Sequence, residues 1–337
     1  MAKLVVKSER PTLMVDPCDL EKDLTGKVAI VTGANCGIGF VTALQLARQG
    51  ATVVMACRNV EAGKKAAAGA QEELEGKGML EVRHLDLASL GSIRTFVPML
   101  LEYHERIDML VNNAGVMNTR KGRTKDGFET QIGINHLGHF MLTALLLDRI
   151  KLSAPSRIVN LSSSYHVATP AGPSRIDLED IHFKNKKYNG WAAYGQSKLA
   201  NVLHAKGLAK RLEGTGVTAV SAHPGFVRTN LIRHTVPLIG TFLQNTILRP
   251  ILARWMGQIE PWEGTQSTLH CLLNDDVVNH PGAFYSQVGG YTDKEVNGGW
   301  PMDSPNPQAN DEEFCDLFWD LSEELVKLRI DLTQGEN

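Results

Sequence analysis

The sequence has no apolar run that is long and uninterrupted enough to cross a membrane. Its first residues, MAKLVVKSERPTLMV, contain no apolar core of the length that a signal peptide or an anchor requires. Residues 236–256 are rich in large apolar side chains. A spanning helix here would bury the charges of Arg249 and Arg254 and would break at Pro250. We therefore expect a soluble, cytoplasmic protein in which this segment covers a substrate as a lid, with contact to a membrane surface as the alternative.

Excess positive charge and paired cysteines are also absent. The formal net charge is −2 over 337 residues, so no overall positive field attracts nucleic acid or an anionic membrane. The cysteines form no Cys-x-x-Cys pair and have no metal-ligand spacing, which indicates free thiols in a reducing compartment, and we expect no bound metal ion. The composition leaves the oligomeric state open, including a homo-oligomer. The five cysteines are Cys18, Cys36, Cys57, Cys271 and Cys315.

What is present is a regular alternation of short β-branched runs with longer segments of helical periodicity. Continuous apolar strands between such helices indicate a parallel sheet that is covered on both faces. We therefore predict an α/β fold, a doubly wound (Rossmann) parallel sheet in a single domain, with ligands beyond the carboxyl ends of its strands. The predicted strands are residues 28–32, 52–57, 80–85, 109–111, 157–161 and 217–222. The predicted helices are residues 38–49, 61–74, 89–104, 128–150 and 192–212.

Two extensions flank this domain, which we place at residues 24–290. Residues 1–23 show no clear periodicity and are expected to form a loosely held N-terminal arm. Residues 291–337 form a C-terminal extension that ends in a helix from about Asp311. An apolar row on this helix predicts that it packs on the domain, and an interaction surface is the alternative. The row consists of Phe314, Leu317, Leu321, Leu325 and Leu328.

A glycine loop follows the first predicted strand. The stretch TGANCGIG, residues 32–39, lies between that strand and a helical pattern, which is the arrangement that places a pyrophosphate at a helix N-terminus. Gly33 allows a sharp turn, Gly37 lets the backbone approach phosphates, and Gly39 lets the helix pack on the strand. The spacing is G-x-x-x-G-x-G, not the better-known G-x-G-x-x-G, and an ordinary tight turn is the alternative.

Later motifs follow the other predicted strands in the order that the fold requires. The sequence NNAG occupies residues 112–115, Ser163 ends the fifth strand, and YGQSK, residues 194–198, opens a helix. Together, TGxxxGxG, NNAG and YxxxK resemble the short-chain dehydrogenase/reductase family over residues 24–290. The stretches ACRNVEAG, YGQSKLANVL and SAHPGFVRTNL resemble its retinol dehydrogenase-like branch more narrowly. The chain differs from that branch in a longer stretch between Ser163 and Tyr194 and in the lack of the usual N-terminal anchor.

The resemblance implies an oxidoreductase that interconverts a carbonyl and an alcohol. Tyr194 is then the acid/base and Ser163 orients the substrate oxygen. Lys198 lowers the pKa of the tyrosine, and Asn135 completes a proton path through water. The spacing agrees with this role of the lysine, because residues four apart lie on one helical face. A cation about 4 Å away supplies roughly the 4 kcal/mol that a shift of about three pKa units requires.

Other side chains of catalytic type have simpler interpretations. Tyr165 and Tyr188 have no lysine four residues later, and we expect them to line or close a pocket. His136 and His139 share a helical face, a spacing that can hold a metal ion. No third ligand accompanies them in the sequence, so we expect structural roles for both.

The end of the second predicted strand indicates the cofactor. An acidic residue here would bind the ribose 2′-hydroxyl of NAD, whereas Arg58 offers donors for the 2′-phosphate of NADP. We therefore predict NADP(H), although Cys36 stands where some family members carry a second basic residue. Asp86 resembles the adenine-contacting aspartate of the family, and an N-cap of the following helix is its alternative role. The predicted cofactor contacts are Gly33, Asn35, Cys36, Gly37, Ile38, Gly39, Arg58, Asn59, Asp86, Leu87, Asn113, Ala114, Gly115, Tyr194, Lys198, Pro224, Gly225, Val227 and Thr229.

Trp191 and the apolar residues 236–256 favour a lipophilic substrate, either a retinal-like aldehyde or a hydrophobic ketone. A protein of another class is the alternative, namely an NADP(H)-sensing or scaffold protein that has kept the fold without turnover. All four predicted catalytic residues are present in the sequence, which favours the enzyme.

Overall fold

The structure, a computed structural model, describes residues 13–228, 258–287 and 299–329. Within these residues, eight strands form one sheet and two short strands form a separate hairpin. The strands are β1 (Val28–Thr32), β2 (Thr52–Cys57), β3 (Met79–His84), β4 (Met109–Asn112), β5 (Ser156–Leu161), β6 (Ala168–Thr169), β7 (Gly172–Pro173), β8 (Val217–His223), β9 (Phe284–Ser286) and β10 (Gly299–Met302). The hairpin consists of β6 and β7.

The strand order across the sheet is β10-β9-β8-β5-β4-β1-β2-β3. Neighbours run parallel except for β10, which is antiparallel to β9. From β1 the chain adds strands toward one edge, and from β4 it adds them toward the other, so the order reverses between these two strands. Ligands bind at such a reversal, beyond the carboxyl ends of the strands. The predicted doubly wound parallel sheet is confirmed.

Helices cover both faces of this sheet. They are α1 (Pro17–Leu20), α2 (Gly37–Arg48), α3 (Val60–Gly69), α4 (Leu90–Tyr103), α5 (Thr130–Ile132), α6 (Gly138–Leu152), α7 (Gly190–Arg211), α8 (Pro261–Leu273) and α9 (Glu312–Val326). The sequence predicts one helix over residues 128–150, but a π-helical segment at Gly133–Leu137 separates α5 from α6. Such segments occur frequently at functional sites, and this one contains Asn135.

The sheet is apolar on both faces because successive strand residues point to opposite sides. In β1, Ala29 and Val31 belong to the same core as Leu46 of α2, whereas Ile30 belongs to the core on the other face with Phe140 of α6. Burial of each large apolar side chain contributes about 1.5–3 kcal/mol to the free energy of unfolding. The strands therefore form a firm base for the loops at their carboxyl ends.

The described part of the N-terminal arm, residues 13–23, is held against the domain more closely than its sequence predicts. The backbone of Leu13 exchanges two hydrogen bonds with the side-chain amide of Gln287, at 2.8 and 2.7 Å. The amide N–H of Val15 donates to Gln266 of α8 at 3.1 Å, and the Val15 side chain is buried. These contacts join the arm to residues about 250 positions later, a pairing that local periodicity does not reveal.

Helix α9 forms where it is predicted, but its most buried face is rotated from the predicted row, of which Phe314, Leu321, Leu325 and Leu328 pack against the core while only partly buried. Asp311 caps the helix by accepting a hydrogen bond from the N–H three residues later, at 3.0 Å. Leu317, which belongs to the predicted row, is 51% exposed. A Cβ at Gly207 of α7 would lie 2.6 Å from the ring of Trp319, so the glycine makes room for this ring and sets the orientation of the helix. The buried residues are Cys315, Phe318, Trp319, Ser322 and Val326.

Among the residues that the structure describes, five histidines are almost completely buried, and burial lowers the pKa of each because an imidazolium would lose its hydration. The pKa falls to about 4 for His139 and His166. It falls to about 3 for His204 and His223. The pKa of His136 also lies well below its ordinary value of 6.5. All five side chains are therefore neutral in the folded protein at pH values where histidines in an unfolded chain are protonated.

We expect the free energy of unfolding to decrease as the pH falls from about 6.5 toward 4. Over this window the unfolded chain binds protons that the folded chain excludes, so each buried histidine costs about 1.4 kcal/mol per pH unit. Thermal unfolding between pH 8 and 4.5 measures this slope. His204→Phe should reduce the slope, whereas His84→Gln at an exposed position should leave it unchanged. A His204→Phe curve with the slope of the parent protein would contradict the assignment.

Candidate active site

The glycine loop has the close packing that its sequence predicts. At Gly33, where φ is +66°, a Cβ would lie 3.0 Å from Ala114 Cα. At Gly39 a Cβ would lie 2.8 Å from the carbonyl oxygen of Gly33. Helix α2 begins at Gly37, which has a φ of +60°. Only glycine suits these positions, so backbone atoms line the space in front of the helix N-terminus.

Thr32, the last residue of β1, joins this loop to the NNAG motif. Its hydroxyl oxygen accepts hydrogen bonds from the N–H groups of Asn113 and Ala114, both at 2.9 Å. The Asn113 side chain donates in return to the carbonyl of Thr32 at 2.7 Å. The predicted contacts from the two motifs therefore lie side by side. The sequence gives no signal for this role of the threonine beyond its place before the first glycine.

His139 supports the same junction from α6. Its Nδ1 lies 3.0 Å from the carbonyl oxygen of Asn135, and its Nε2 lies 2.8 Å from the Thr32 hydroxyl. Because a carbonyl only accepts, Nδ1 carries the proton and Nε2 accepts from the threonine. His136 is bonded elsewhere, to Ser322 of α9 at 2.9 Å. In the described parts of the chain, no three His, Cys, Asp or Glu side chains are grouped as metal ligands would be.

The adenosine side of the predicted site lies at the ends of β2 and β3. Arg58 is exposed directly after β2, and Asn59 caps α3 by accepting from Ala62 N–H at 2.9 Å. Cys36 is exposed at the start of α2, where its side chain makes no capping hydrogen bond. Asn35 and Ile38, on either side, are half-buried.

Asp86 does not cap the following helix, so the alternative role considered for it is wrong. Ser89 is the N-cap of α4, and Asp86 instead accepts from Ala88 N–H and from Lys125 Nζ, both at 3.1 Å. Burial would raise the pKa of Asp86, but these hydrogen bonds, with the nearby charges of Lys125 and Arg58, lower it. Lys125 lies in a loop without a recognisable motif, and the sequence does not single it out.

The remaining predicted contacts have mixed outcomes. Leu87 is buried, and its carbonyl would lie 2.6 Å from a Cβ at Gly138. Pro224 and Gly225 follow β8 as predicted, and Val227 is buried beside a short bridge to Ile259. Thr229 lies outside the described residues, as do residues 236–256, the predicted lid.

No helix in the described residues has the length and apolar character needed to span a membrane.

The predicted catalytic pair lies in the first turns of α7. Tyr194 and Lys198 are 3% and 4% exposed, and the Lys198 Nζ is 5.8 Å from the centre of the Tyr194 ring. Ser163 directly follows β5 and one further serine, and its side chain lies near enough to the tyrosine hydroxyl to oppose the rise of its pKa. The lysine donates to the carbonyl of Leu161 at 2.9 Å. One helical turn and one strand end thus bring three of the four predicted residues together.

The pKa of Tyr194 differs from the sequence-based expectation. Burial raises the pKa above its ordinary value of 10, and the hydrogen bond with Ser163 only partly opposes this rise. Burial also lowers the pKa of Lys198 to about 8. The expected lowering by Lys198 is not found, because its Nζ is directed to Leu161 and the loss of hydration dominates for both groups.

Asn135 holds the NNAG loop from the π-helical segment. Its amide oxygen accepts from Val116 N–H at 2.8 Å, and its amide nitrogen donates to Val116 O and to Ser197 Oγ, both at 2.9 Å. A Cβ at Gly115 would lie 3.2 Å from the Asn135 Oδ1 and 3.5 Å from the Lys198 Nζ. The fourth predicted residue therefore lies within the same group as the other three.

Aromatic side chains border this group. The Tyr165 ring is 6.0 Å from that of Tyr194 and 5.3 Å from that of Trp191, in edge-on arrangements. Tyr188 has a different environment, because its hydroxyl donates to the buried carboxylate of Glu129 at 3.0 Å. Burial raises the pKa of Tyr188 to about 12. Tyr165 thus borders the candidate site, whereas Tyr188 belongs to a polar network beside it.

Comparison with known proteins agrees with this geometry. The family model described as short chain dehydrogenase matches residues 27–173. Human (Homo sapiens) retinol dehydrogenase 13 is 43% identical over 314 residues, which cover 92% of this chain and 88% of the relative. Mouse (Mus musculus) retinol dehydrogenase 11 is 40% identical over 338 residues, which cover 97% of this chain and 95% of the relative.

Solved structures have the same architecture. An uncharacterized protein from Mycobacterium paratuberculosis is 34% identical, with a TM-score of 0.70, and the match covers 92% of this chain and 97% of that one. The NADP complex of Pseudomonas aeruginosa RhlG, at 24% identity and a TM-score of 0.58, shares the fold over 80% of this chain and 96% of that one. The chain therefore belongs to the short-chain dehydrogenase/reductase family of oxidoreductases, in the branch of the retinol dehydrogenases.

Proposed function

We propose that the protein is an NADP(H)-dependent oxidoreductase that interconverts a carbonyl and an alcohol on a lipophilic substrate, a retinal-like aldehyde or a hydrophobic ketone. The observation that carries the proposal is the grouping of Tyr194 and Ser163, whose side chain acts on the tyrosine hydroxyl, with Lys198 buried one helical turn away. Two hydroxyl groups that converge in this way can both bind one carbonyl oxygen of a substrate.

In the reducing direction Tyr194 acts as the acid. Because burial raises its pKa, the phenol is protonated at neutral pH and can give its proton to the carbonyl oxygen. The Ser163 hydroxyl holds the same oxygen during this transfer. NADPH, when bound, supplies the hydride that the carbonyl carbon gains. Lys198 and Asn135, which meet at Gly115, support the proposed path for reprotonation of the phenolate that remains.

The residues present fit a dinucleotide. Gly33 and Gly39 leave no room for a side chain, so a pyrophosphate can approach the backbone at the N-terminus of α2. Arg58 is exposed at the end of β2 and offers a planar set of donors for a 2′-phosphate. Asp86 nearby is paired with Lys125, which offsets the repulsion that its carboxylate would exert on that phosphate. These features favour NADP(H) over NAD(H).

Two observations support a lipophilic substrate. The edge-on contacts of Tyr165 with Trp191 and with Tyr194 place apolar ring surface beside the Tyr194 ring, and the relatives compared above are named retinol dehydrogenases. The five cysteines are free, in keeping with a reducing compartment such as the cytoplasm. We place the protein there, with membrane contact through residues 236–256 as the alternative.

We expect Tyr194→Phe to lower the kcat for carbonyl reduction by about 10²–10⁴-fold, because the variant lacks the proton donor. Consumption of NADPH with retinal, a steroid ketone and an aromatic aldehyde measures this rate. Tyr165→Phe, at the neighbouring ring, is the matched control and should retain turnover. Undiminished activity of Tyr194→Phe would contradict the mechanism. A parent protein that binds NADPH tightly and turns over none of these compounds would favour the sensor instead.

We expect Arg58→Ala to raise the Kd of NADPH by about 10–100-fold and to change the Kd of NADH little. The loss corresponds to a hydrogen-bonded charge contact of about 1.5–3 kcal/mol, which only the 2′-phosphate makes. Fluorescence titration with each cofactor measures both constants. Arg83→Ala, on the neighbouring strand, is the control. Equal weakening of NADPH and NADH by Arg58→Ala would show that this residue does not bind the 2′-phosphate.

We expect the Kd of NADPH to increase above a pH of about 8. The Lys198 ammonium, whose pKa burial lowers to about 8, is charged below that pH and neutral above it. Loss of the positive charge removes an attraction to the anionic cofactor. Titrations between pH 6.5 and 9.5 test this, with Lys198→Met expected to bind weakly and independently of pH over the range. An unchanged alkaline limb in Lys198→Met would assign the titration to another group.

A further inference from the structure

The backbone carbonyl of Ser163 is held by a buried histidine. The backbone N–H of His166 donates to this carbonyl at 2.9 Å, and the ring nitrogen Nδ1 of His166 lies 2.6 Å from the same oxygen. Because a carbonyl only accepts, Nδ1 carries the proton, and Nε2 is left as an acceptor. The donor to Nε2 is the hydroxyl of Ser304, at 2.7 Å. A residue 138 positions later thus sets the tautomer of the ring beside the candidate catalytic serine.

The Ser304 segment is itself fixed by buried hydrogen bonds. The backbone N–H of Asn306 donates to the hydroxyl oxygen of Ser304 at 3.2 Å, which directs the hydroxyl proton of the serine toward His166. The Asn306 side chain donates to the carbonyls of His166 and Ser174, at 2.7 and 2.9 Å. Gln308 exchanges two further hydrogen bonds with the backbone of Ile176, at 2.9 and 3.1 Å. Ser304 and Asn306 are only 2% and 3% exposed.

The hydrogen bonds around His166 and Asn306 connect the Ser304 segment to Ser163 and to Tyr194 in two ways. The Ser163 hydroxyl oxygen accepts from the backbone N–H of Tyr165 at 3.2 Å, which restrains the serine side chain in the neighbourhood of the Tyr194 hydroxyl. Ser174, which Asn306 holds, donates to the Tyr165 carbonyl at 2.7 Å and lies against Gly195, next to the catalytic tyrosine. Apolar side chains could fill this space without needing any hydrogen-bond partner. The buried polar contacts therefore serve to orient Ser163 and Tyr165 more than to fill space.

We propose that residues 304–308 of the C-terminal extension position the Ser163 hydroxyl for catalysis, acting through His166. Ser304, Asn306 and His166 are positioning residues, since none of them reaches the substrate oxygen. The inference rests on the proposed function, because it assigns these residues to the support of that active site. The extension is then part of the catalytic structure and not only a packing element.

The test compares two serine–histidine contacts of the same extension. Ser304→Ala should lower kcat for carbonyl reduction by about 10-fold, the effect of losing one orienting hydrogen bond, and should leave the Kd of NADPH unchanged. Ser322→Ala removes an equivalent buried contact, to His136 at 2.9 Å, that does not touch Ser163. It should lower Tm and leave kcat unchanged. Ser304→Thr retains a hydroxyl and should restore most of the kcat.

A double-mutant cycle separates positioning from general stability. In a Ser163→Ala background, Ser304→Ala should lower Tm by the same amount as in the parent protein but cause no further loss of kcat. Equal losses of kcat in both backgrounds, or a similar loss from Ser322→Ala, would overturn the inference. Should Ser304→Ala not fold, Gln308→Ala replaces it in the same cycle with the same expectations. A loss of turnover in Tyr194→Phe with none in Ser304→Ala defeats only the inference, whereas full turnover in Tyr194→Phe defeats the proposed function as well.

Discussion

The hydroxyl of Thr32 is the interaction on which the shape of the candidate site depends. It accepts from two N–H groups of the NNAG motif and donates to His139, so one buried oxygen joins β1, the loop after β4 and helix α6. These strands are the neighbours at which the strand order reverses. Without this oxygen, the partly buried N–H of Ala114 would lose its partner, at about 1–3 kcal/mol, and the N–H of Asn113 would keep only its bond to the Val111 carbonyl. The glycine loop keeps its close approach to Ala114 because this junction holds both backbones.

Burial acts on the two catalytic side chains in opposite senses. It favours the neutral form of each, so the pKa of Tyr194 rises and that of Lys198 falls. The two pKa values, nearly equal for the free groups, therefore move apart, so the proton stays on the phenol and the amine loses its proton more easily. The hydrogen bond to the Leu161 carbonyl sets the direction of the Lys198 amine. Burial by the surrounding fold thus shifts the pKa values of Tyr194 and Lys198 more than contact between the two side chains does.

Local motifs made the site predictable, and distant contacts limited the prediction. The glycine loop and the Tyr194–Lys198 spacing depend on geometry within a few residues, and both have the expected arrangement. The buried face of α9 depends on a glycine in another helix and on a polar contact of Ser322, so counting apolar residues misplaced it. The pKa of Tyr194 depends on how completely the chain encloses it. Lys125 pairs with Asp86 across 39 positions, a separation that no local pattern reports.

Helix α7 is enclosed on nearly every side over more than three turns. Its buried residues run without a break from Ala193 to Ala205, and Gly207 then receives the ring of Trp319. A helix in this position has no solvent-facing stripe where substitutions would be neutral. Small and polar residues replace the usual amphipathic pattern, because the sheet, the π-helical segment and α9 all need close approach. The stretch that carries the catalytic pair should therefore tolerate less sequence drift than the strands it packs on, although its composition is the less hydrophobic of the two.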